Sequence, residues 1–555
     1  MDEIERSVLK YALLNAKKFG SANEEAVIKK VFVEYPELKK EVKKLIEIVK
    51  KVVSEVNSFT AEEIDRKIKE MGIIEEKRRE EKKEFLPPLP FAEEGKVVMR
   101  LAPFPSGPLH IGNARMAILN DYYVKRYKGK LILFFDDTIG SEEKPIDPQS
   151  YSLIKEGLDW LGIEYCEIYY KSDRLEIYYE YGRKLIELGK AYVCTCSKEE
   201  MRENRRLGVE CSCRKRSIEE NLHLYERMLN GDFREGEAVV RLKTDMKHPN
   251  PAFRDRVLLR VCEREHPRVG KKYKVWPMLE FSWAIDDHLI GVTHILRGKE
   301  LVIEDMMEEF IWNIFGWNKI PFIHYGLLKL QEGGAKLSKS KIKKMIESGQ
   351  LSGWDDPRTW SLQSLKRRGF QPEAIRNFIL NLGLSEADIN APLEILYAEN
   401  RKIVDKIANR YFAVINPFKI SLNRKVDKIA IRYHPDYPER GEREILVNEK
   451  EIYIEKDDFE KYKGKEVALI GMFTILLDEN STFIKSEVPH DIPKLHWVSR
   501  PFVQIKILMP NGEVVKAIGE SSLKNLNEGE IVQFYRIGFC RLDNKEEMLF
   551  CFAHK

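Results

Sequence analysis

The chain has 555 residues, of which 43% are hydrophobic and 33% charged, and its formal net charge is only +4. That length calls for several domains, because single cores rarely grow beyond about 250–300 residues. So small a charge excludes nucleic-acid binding by bulk basicity and leaves only a surface made by charge placement. No apolar run approaches the roughly 20 residues of a membrane span. The start, Met1-Asp-Glu-Ile-Glu-Arg6, lacks the basic and apolar regions of a signal peptide. Four of the eight cysteines cluster between Cys194 and Cys213, unlike a spread disulfide framework. A cytoplasmic location with no membrane partner is expected.

Residues 1–72 carry apolar positions at helical spacing, as in Val42, Leu45, Ile46, Val49 and Val53, which predicts a small helical domain. Residues 73–95 hold a charged run from Ile74 to Glu84 and then Leu86-Pro-Pro-Leu-Pro90, expected as a solvated helix end and a stiff linker. Strands and helices alternate over 96–190, with Val97–Leu101 and Leu131–Phe135 as strands and Ser152–Leu161 as a helix. Residues 191–285 break the alternation and read as an insertion. The sheet resumes over 286–345. Helical spacing returns in a connector, 346–417. Period-two runs such as Ile452–Glu455, Phe502–Leu508 and Val532–Arg536, with turns such as Pro510-Asn-Gly512, then predict a β-barrel region over 418–555. The expected architecture is multidomain α/β, with a doubly wound, Rossmann-type core split by an insertion. An N-terminal helical domain, a helical connector and C-terminal β-barrels complete it.

The segment Arg100-Leu-Ala-Pro-Phe-Pro-Ser-Gly-Pro-Leu-His-Ile-Gly-Asn-Ala-Arg115 joins a strand to a helix through a Pro/Gly loop. Helix-start amides point at phosphate in such a loop, and glycine lets the ligand approach. His110 adds a proton donor and Gly112 leaves room for a flat base. Lys336-Leu-Ser-Lys-Ser340 supplies the positive charge that a splitting triphosphate needs. Together they read as two halves of an ATP site that makes an adenylate.

Two further clusters carry chemistry. Phe134-Phe-Asp-Asp-Thr138 ends a buried strand, so Asp136 or Asp137 is placed to receive a ligand ammonium; a capping or turn-forming pair fits the spacing equally. Cys194-Thr-Cys196 and Cys211-Ser-Cys213 stand fourteen residues apart, and four thiolates suit tetrahedral zinc; free thiols in a loop are the alternative.

The two loop motifs, in this order, resemble those of the class I aminoacyl-tRNA synthetases. The longer string Pro103-Phe-Pro-Ser-Gly-Pro-Leu-His-Ile-Gly112 narrows the resemblance to the glutamyl/glutaminyl branch. Gly369–Arg376 looks like the start of that branch's helical connector. His434–Glu444, Leu495–Ser499 and Gln533–Cys540 resemble the paired barrels of glutaminyl and archaeal-type glutamyl enzymes. Over residues 96–555 the chain is similar to the archaeal-type glutamyl-tRNA synthetases.

That resemblance implies ATP- and Mg2+-dependent ligation of L-glutamate to tRNA(Glu) through a glutamyl adenylate, with tRNA(Gln) left open as a second acceptor, by a monomer. It implies ATP contacts at Pro103, Pro105, Gly107, His110, Gly112, Asn113, Lys336, Ser338 and Lys339, with His110, Lys336 and Lys339 stabilising the reacting phosphates. Glutamate contacts fall on Arg100, Ala102, Ser106, Asp136, Leu279 and Arg297. Asp136 would take the α-amino group, and Arg100 and Arg297 would take the carboxylates. Zinc on Cys194, Cys196, Cys211 and Cys213 would be structural, near the tRNA acceptor end, where Arg205, Arg206, Arg214 and Arg216 are placed to meet phosphates. Four positions depart from the family pattern: Asn113 for a second histidine, Phe134 for an arginine, Ile139 for Asp or Asn, and Leu279 for a tyrosine. A glutaminyl enzyme is the nearest rival, and Arg297 argues against it. A small-molecule adenylyltransferase would have no use for the connector and barrels. A non-catalytic tRNA-binding paralogue would not need Gly112, Lys336 and Lys339.

Overall fold

The computed structural model describes residues 3–35, 38, 42–71, 86–139, 145–331 and 339–555. It divides into two compact units, Met1–Glu84 and Phe85–Lys555. The first unit is helical, as the spacing predicts: α1 (Glu3–Phe19), α2 (Glu24–Glu34), α3 (Val42–Val56) and α4 (Ala61–Glu70). Val8, Leu13, Val27, Leu45, Val49, Val56, Ile64 and Ile68 form its core. Thr60 and Glu63 close a capping box at the start of α4, satisfying helix-end amides on both sides.

The described part of the second unit begins with Leu86 and Leu89, in the segment expected as a stiff linker. Both leucines are buried in the main core, and the carbonyls of Leu86, Pro87 and Pro90 accept hydrogen bonds from Arg126, Tyr123 and His294. The prolines hold the segment extended while the leucines anchor it. The charged run 74–84 lies outside the described residues.

The parallel sheet then follows. β1 (Val98–Leu101), α5 (Ile111–Arg126), β2 (Lys130–Phe135), α6 (Ser150–Trp160) and β3 (Glu167–Tyr170) form a β-α-β-α-β run, with β2 paired in parallel to both β1 and β3. After α7 (Leu175–Glu187) the insertion supplies β4 (Ala191–Cys194), α8 (Lys198–Leu207), α9 (Ile218–Asn230), β5 (Val239–Leu242), β6 (Val257–Val261) and β7 (Val275–Pro277), an antiparallel sheet in chain order. The chain returns through α10 (Leu279–Ile290) to β8 (Ile295–Gly298), α11 (Val302–Phe315) and β9 (Phe322–Tyr325). Thr293 N–H donates to Val98 O at 2.9 Å, which sets the start of β8 against the free edge of β1. With the two-stranded β8–β9 sheet set beside β1, the strands run in the order 3-2-1-8-9, and the order reverses between β1 and β8, where a doubly wound sheet opens its ligand crevice.

Next come β10 (Leu328–Gln331), α12 (Lys339–Glu347), α13 (Leu362–Arg368), α14 (Pro372–Asn381), β11 (Ile389–Pro392) and α15 (Leu393–Ile407). The strand β11 interrupts the helical spacing because it pairs in parallel with β10 and ties this region back to the core. Strand structure starts at Asn409, ahead of 418. Asn409–Tyr411 and Ala413–Val414 join a sheet otherwise built from residues 502–554, while strands within 417–499 form a second sheet, apart from a two-stranded hairpin of Lys428–Arg432 and Glu442–Leu446. Each sheet has its own core, around Trp497 in one and Phe534 and Phe550 in the other. Alternation predicts the strands but not which sheet each joins. No helix among the described residues is long and apolar enough to cross a membrane.

Candidate active site

The loop after β1 runs into α5 with His110 as the N-cap. The ring Nδ1 accepts the Gly112 N–H at 3.0 Å, and the Asn113 side-chain oxygen reaches back to the His110 N–H at 3.4 Å. This capping box gives Asn113 a local reason: its oxygen closes the helix start and its NH2 stays available to a phosphate. A Cβ on Gly112 would stand 2.9 Å from the His110 ring, so only glycine fits below that ring. Lys339, at the start of α12, donates from Nζ to Gly107 O at 3.2 Å. A Cβ on Gly107 would meet the Lys339 stem at 3.1 Å and Trp354 at 3.0 Å, and φ there is +154°. Loop and helix thus meet through one glycine. Burial pushes the Lys339 ammonium down to about 8. Lys336 and Ser338 lie outside the described residues.

A cleft of about 440 Å³ opens at the β1/β8 reversal, and it brings together Arg100, Ala102, His110, Gly112, Asn113, Asp136, Leu279 and Arg297 with Trp283, Glu300 and Tyr325. Pro103, Pro105, Ser106 and Gly107 form the loop beside it and are not among its lining residues. Pro103 O accepts the Asp136 N–H at 3.2 Å, linking that loop to the end of β2.

The two arginines do not stand unpaired. Arg100 grips Asp287 side-on, Nε to one carboxylate oxygen and Nη2 to the other at 2.7 Å, and its guanidinium carbon lies 3.5 Å from the Trp283 ring centre. Arg297 turns Nε (2.6 Å) and Nη2 to Asp305 and Nη1 to Glu308 (2.8 Å). A guanidinium has five N–H groups, so three remain on Arg100 and two on Arg297 for a ligand. The protein acids fix each fork in place. Burial pushes Glu308 up to about 7 against the pull of Arg297, and its Oε2 is buried with no hydrogen-bond partner.

The acidic pair is divided by its surroundings. Asp137 accepts from Ser172 N–H (2.9 Å), Ser172 Oγ (2.7 Å) and Tyr151 OH (3.0 Å) and is wholly buried. Asp136 lines the cleft and is held at Oδ1 by Lys171 (3.2 Å) and Thr138 (3.3 Å). Phe134 packs against Tyr169 and Trp283, with ring centres 5.5 and 5.0 Å away, and Ile139 is buried in the core of the insertion. Leu279 presents an apolar side chain to the cleft.

Away from the cleft, the four cysteine sulfurs lie within 4.8 Å of one another, with Cys194–Cys211 and Cys196–Cys213 both at 3.9 Å. Tetrahedral zinc with Zn–S bonds of about 2.3 Å requires S···S edges of roughly 3.8 Å, so the cluster fits that ion. None of the four is in a disulfide, and Arg241 lies 3.7 Å from Cys194 Sγ, where it offsets thiolate charge. The Cys211 thiol is held low by the hydrogen bond from Cys194.

The nearby arginines divide in the same way. Arg214 binds the buried Asp255 at 2.5 and 2.6 Å, and Arg216 donates to Val193 O and Thr195 Oγ1. Arg206 pairs with Glu203 on the exposed face of α8. Arg205 has no carboxylate partner among the described residues; burial and the guanidiniums of Arg241, Arg256 and Arg202 hold it below its usual value. It is the member of the four best suited to an incoming anion.

Residues 96–406 match the family model of tRNA synthetases class I (E and Q), catalytic domain, and residues 408–490 and 493–543 match the two anti-codon binding domain models of the same enzymes. The chain belongs to that family. It is 44% identical to the glutamate–tRNA ligase of Methanocaldococcus jannaschii and 45% to that of Thermococcus kodakarensis, each over the whole of both chains. It is 44% identical to that of Archaeoglobus fulgidus over 98% of both. The synthetase is therefore of the archaeal type.

Several residues around this synthetase's cleft escape a sequence reading. Asp287 lies 187 positions from the arginine it clamps, and Lys171 and Trp283 sit in segments without a motif. Asp305 and Glu308 give one faint signal, an i,i+3 acidic pair on the helix directly after Arg297.

Proposed function

We propose that the chain joins L-glutamate to tRNA(Glu), consuming ATP with Mg2+ and releasing AMP and pyrophosphate. Whole-length similarity to archaeal glutamate–tRNA ligases supports the substrate class. The observation that carries the choice of amino acid is Arg297, on the cleft wall with two N–H groups left over from its own acids. An uncharged amide would leave a buried guanidinium short of its partner, a loss that separates glutamate from glutamine.

A glutamate carboxylate oxygen attacks the α-phosphorus, the bond to pyrophosphate breaks, and a terminal ribose hydroxyl of tRNA then displaces AMP from the carbonyl carbon. No side-chain nucleophile enters. Arg100 and Arg297 hold the carboxylates and Asp136 the ammonium. His110, Asn113, Lys336 and Lys339 place donors where phosphate charge spreads, so that positioning and electrostatics carry the rate. Magnesium, when bound with ATP, screens the phosphate charge. The cysteine cluster holds a structural zinc outside the chemistry, and Arg205 meets tRNA phosphate. We place the enzyme in the cytoplasm as a monomer, with tRNA(Gln) left open as a second acceptor. ATP–pyrophosphate exchange with glutamate and with glutamine, followed by charging of pure tRNA(Glu) and tRNA(Gln), tests the proposal. Exchange driven by glutamine, or none with glutamate, overturns it.

A further inference from the structure

Lys171 is fully buried, yet it is a charged side chain that the mechanism above does not use. The register brings it to the site: β2 and β3 pair Phe135 with Tyr170, so the next residues, Asp136 and Lys171, leave the two strand ends side by side. Its Nζ donates to Ser282 Oγ at 2.6 Å, lies 3.2 Å from Asp136 Oδ1 and stands 3.6 Å from the Trp283 ring centre. The ammonium is therefore fixed by three groups on two elements. Burial lowers its pKa, and Asp136 and Asp286 counter that.

Two roles fit an ammonium beside Asp136. It competes with a ligand ammonium for the carboxylate, or it holds the carboxylate from behind. The geometry favours the second. Asp136 lines the cleft while Lys171 does not, so the carboxylate lies between the lysine and the ligand space. Lys171 and Thr138 both engage Oδ1, leaving Oδ2 for a ligand. We propose that Lys171 is a positioning residue for amino-acid binding: it anchors Asp136 through Oδ1 so that Oδ2 is presented to the substrate's α-ammonium. Ser282 and Trp283 hold the lysine, and Trp283 also carries Arg100, so the ammonium and carboxylate subsites share one support. The inference rests on the reading of Asp136 as the ammonium acceptor in glutamate activation.

The test compares L-glutamate with pentanedioate, which keeps both carboxylates and lacks the ammonium. In Lys171→Met the KM for glutamate in ATP–pyrophosphate exchange is expected to rise about tenfold or more, as when a charge-assisted hydrogen bond is lost. Inhibition by pentanedioate and the KM for ATP should stay within about twofold. Ser282→Ala, a milder change, should move glutamate the same way by a smaller factor, and it carries the test if Lys171→Met does not fold. Equal weakening of glutamate and pentanedioate, or an unchanged glutamate KM in the folded variant, overturns the proposal. Wild-type enzyme that shows no exchange with glutamate overturns the functional reading itself, a distinct result.

Discussion

Arg297→Gln separates the proposed recognition role of Arg297 from its structural pairing with Asp305 and Glu308. Its side chain is buried between Asp305 and Glu308, with His324 on the far oxygen of Asp305 at 2.6 Å. Removing one partner of a buried, hydrogen-bonded pair costs about 3–5 kcal/mol. Here the substitution leaves two protein carboxylates and, in the complex, one substrate carboxylate without the guanidinium. Glu308, already pushed up to about 7, takes up a proton in the variant and sheds part of the folding cost. The substrate carboxylate has no such relief. At about 1.4 kcal/mol per tenfold, a loss near 3 kcal/mol lowers kcat/KM for glutamate by about 10² or more, with the KM for ATP nearly unchanged. The gap to glutamine narrows, since its amide loses no charge partner. Adding Glu308→Gln should return much of the lost Tm and none of the selectivity. ATP–pyrophosphate exchange with both amino acids, alongside thermal unfolding, reads the two effects. A single variant that keeps its glutamate-over-glutamine ratio moves specificity to Arg100. A double variant that regains the ratio makes the loss structural.

Lys339→Ala should slow glutamate-dependent exchange by about 10²–10³, the usual cost of one preorganised donor. Lys339 is charged below a pKa of about 8 and neutral above it, so kcat/KM for ATP should fall as pH rises through about 8, and the alanine variant should lack that limb. Dialysed protein should hold close to one zinc per chain, falling together with Tm when Cys194 and Cys211 become serine; a metal-free wild type of normal Tm refutes the site. Arg205→Ala should weaken tRNA binding and lower the magnitude of its salt slope by about one. Arg214→Ala should instead lower Tm by stranding buried Asp255, and the reverse pattern would refute the division between the two arginines.

What the sequence shows and what it hides follow one physical rule. Short-range patterns are legible: the Pro/Gly loop and helical spacing after β1, the apolar run of β2, and the repeated Cys-x-Cys pairs all depend on residues close in the chain. The sulfurs meet at zinc-like distances because β4 ends in Cys194 and the second pair follows α8 back to it. What depends on pairing across the fold is not legible. The Leu86–Pro90 composition reads as a linker, yet the burial of its leucines is set by α5 and the start of β8. The protein partners of Arg100 and Arg297 are not legible, because Asp287 carries no motif and the α11 acids only an i,i+3 spacing. Lys171 reaches Asp136 only through the β2–β3 register.

The departures from the family pattern at 134 and 279 gain a shared physical account from the same contacts. An arginine at 134 would bring a charge beside the strand end; Phe134 instead packs an apolar ring on Trp283. The cation near Asp136 comes from Lys171, at the end of the neighbouring strand, and the same indole holds it. Leu279 opens the helix that carries Ser282, Trp283 and Asp287, so one element supplies the apolar cleft wall, the lysine's hydrogen-bond acceptor, the ring under two cations and the clamp on Arg100. A hydroxyl missing at 279 therefore removes one polar contact, while Arg100, Arg297 and the Asp136–Lys171 pair are held by partners other than residue 279.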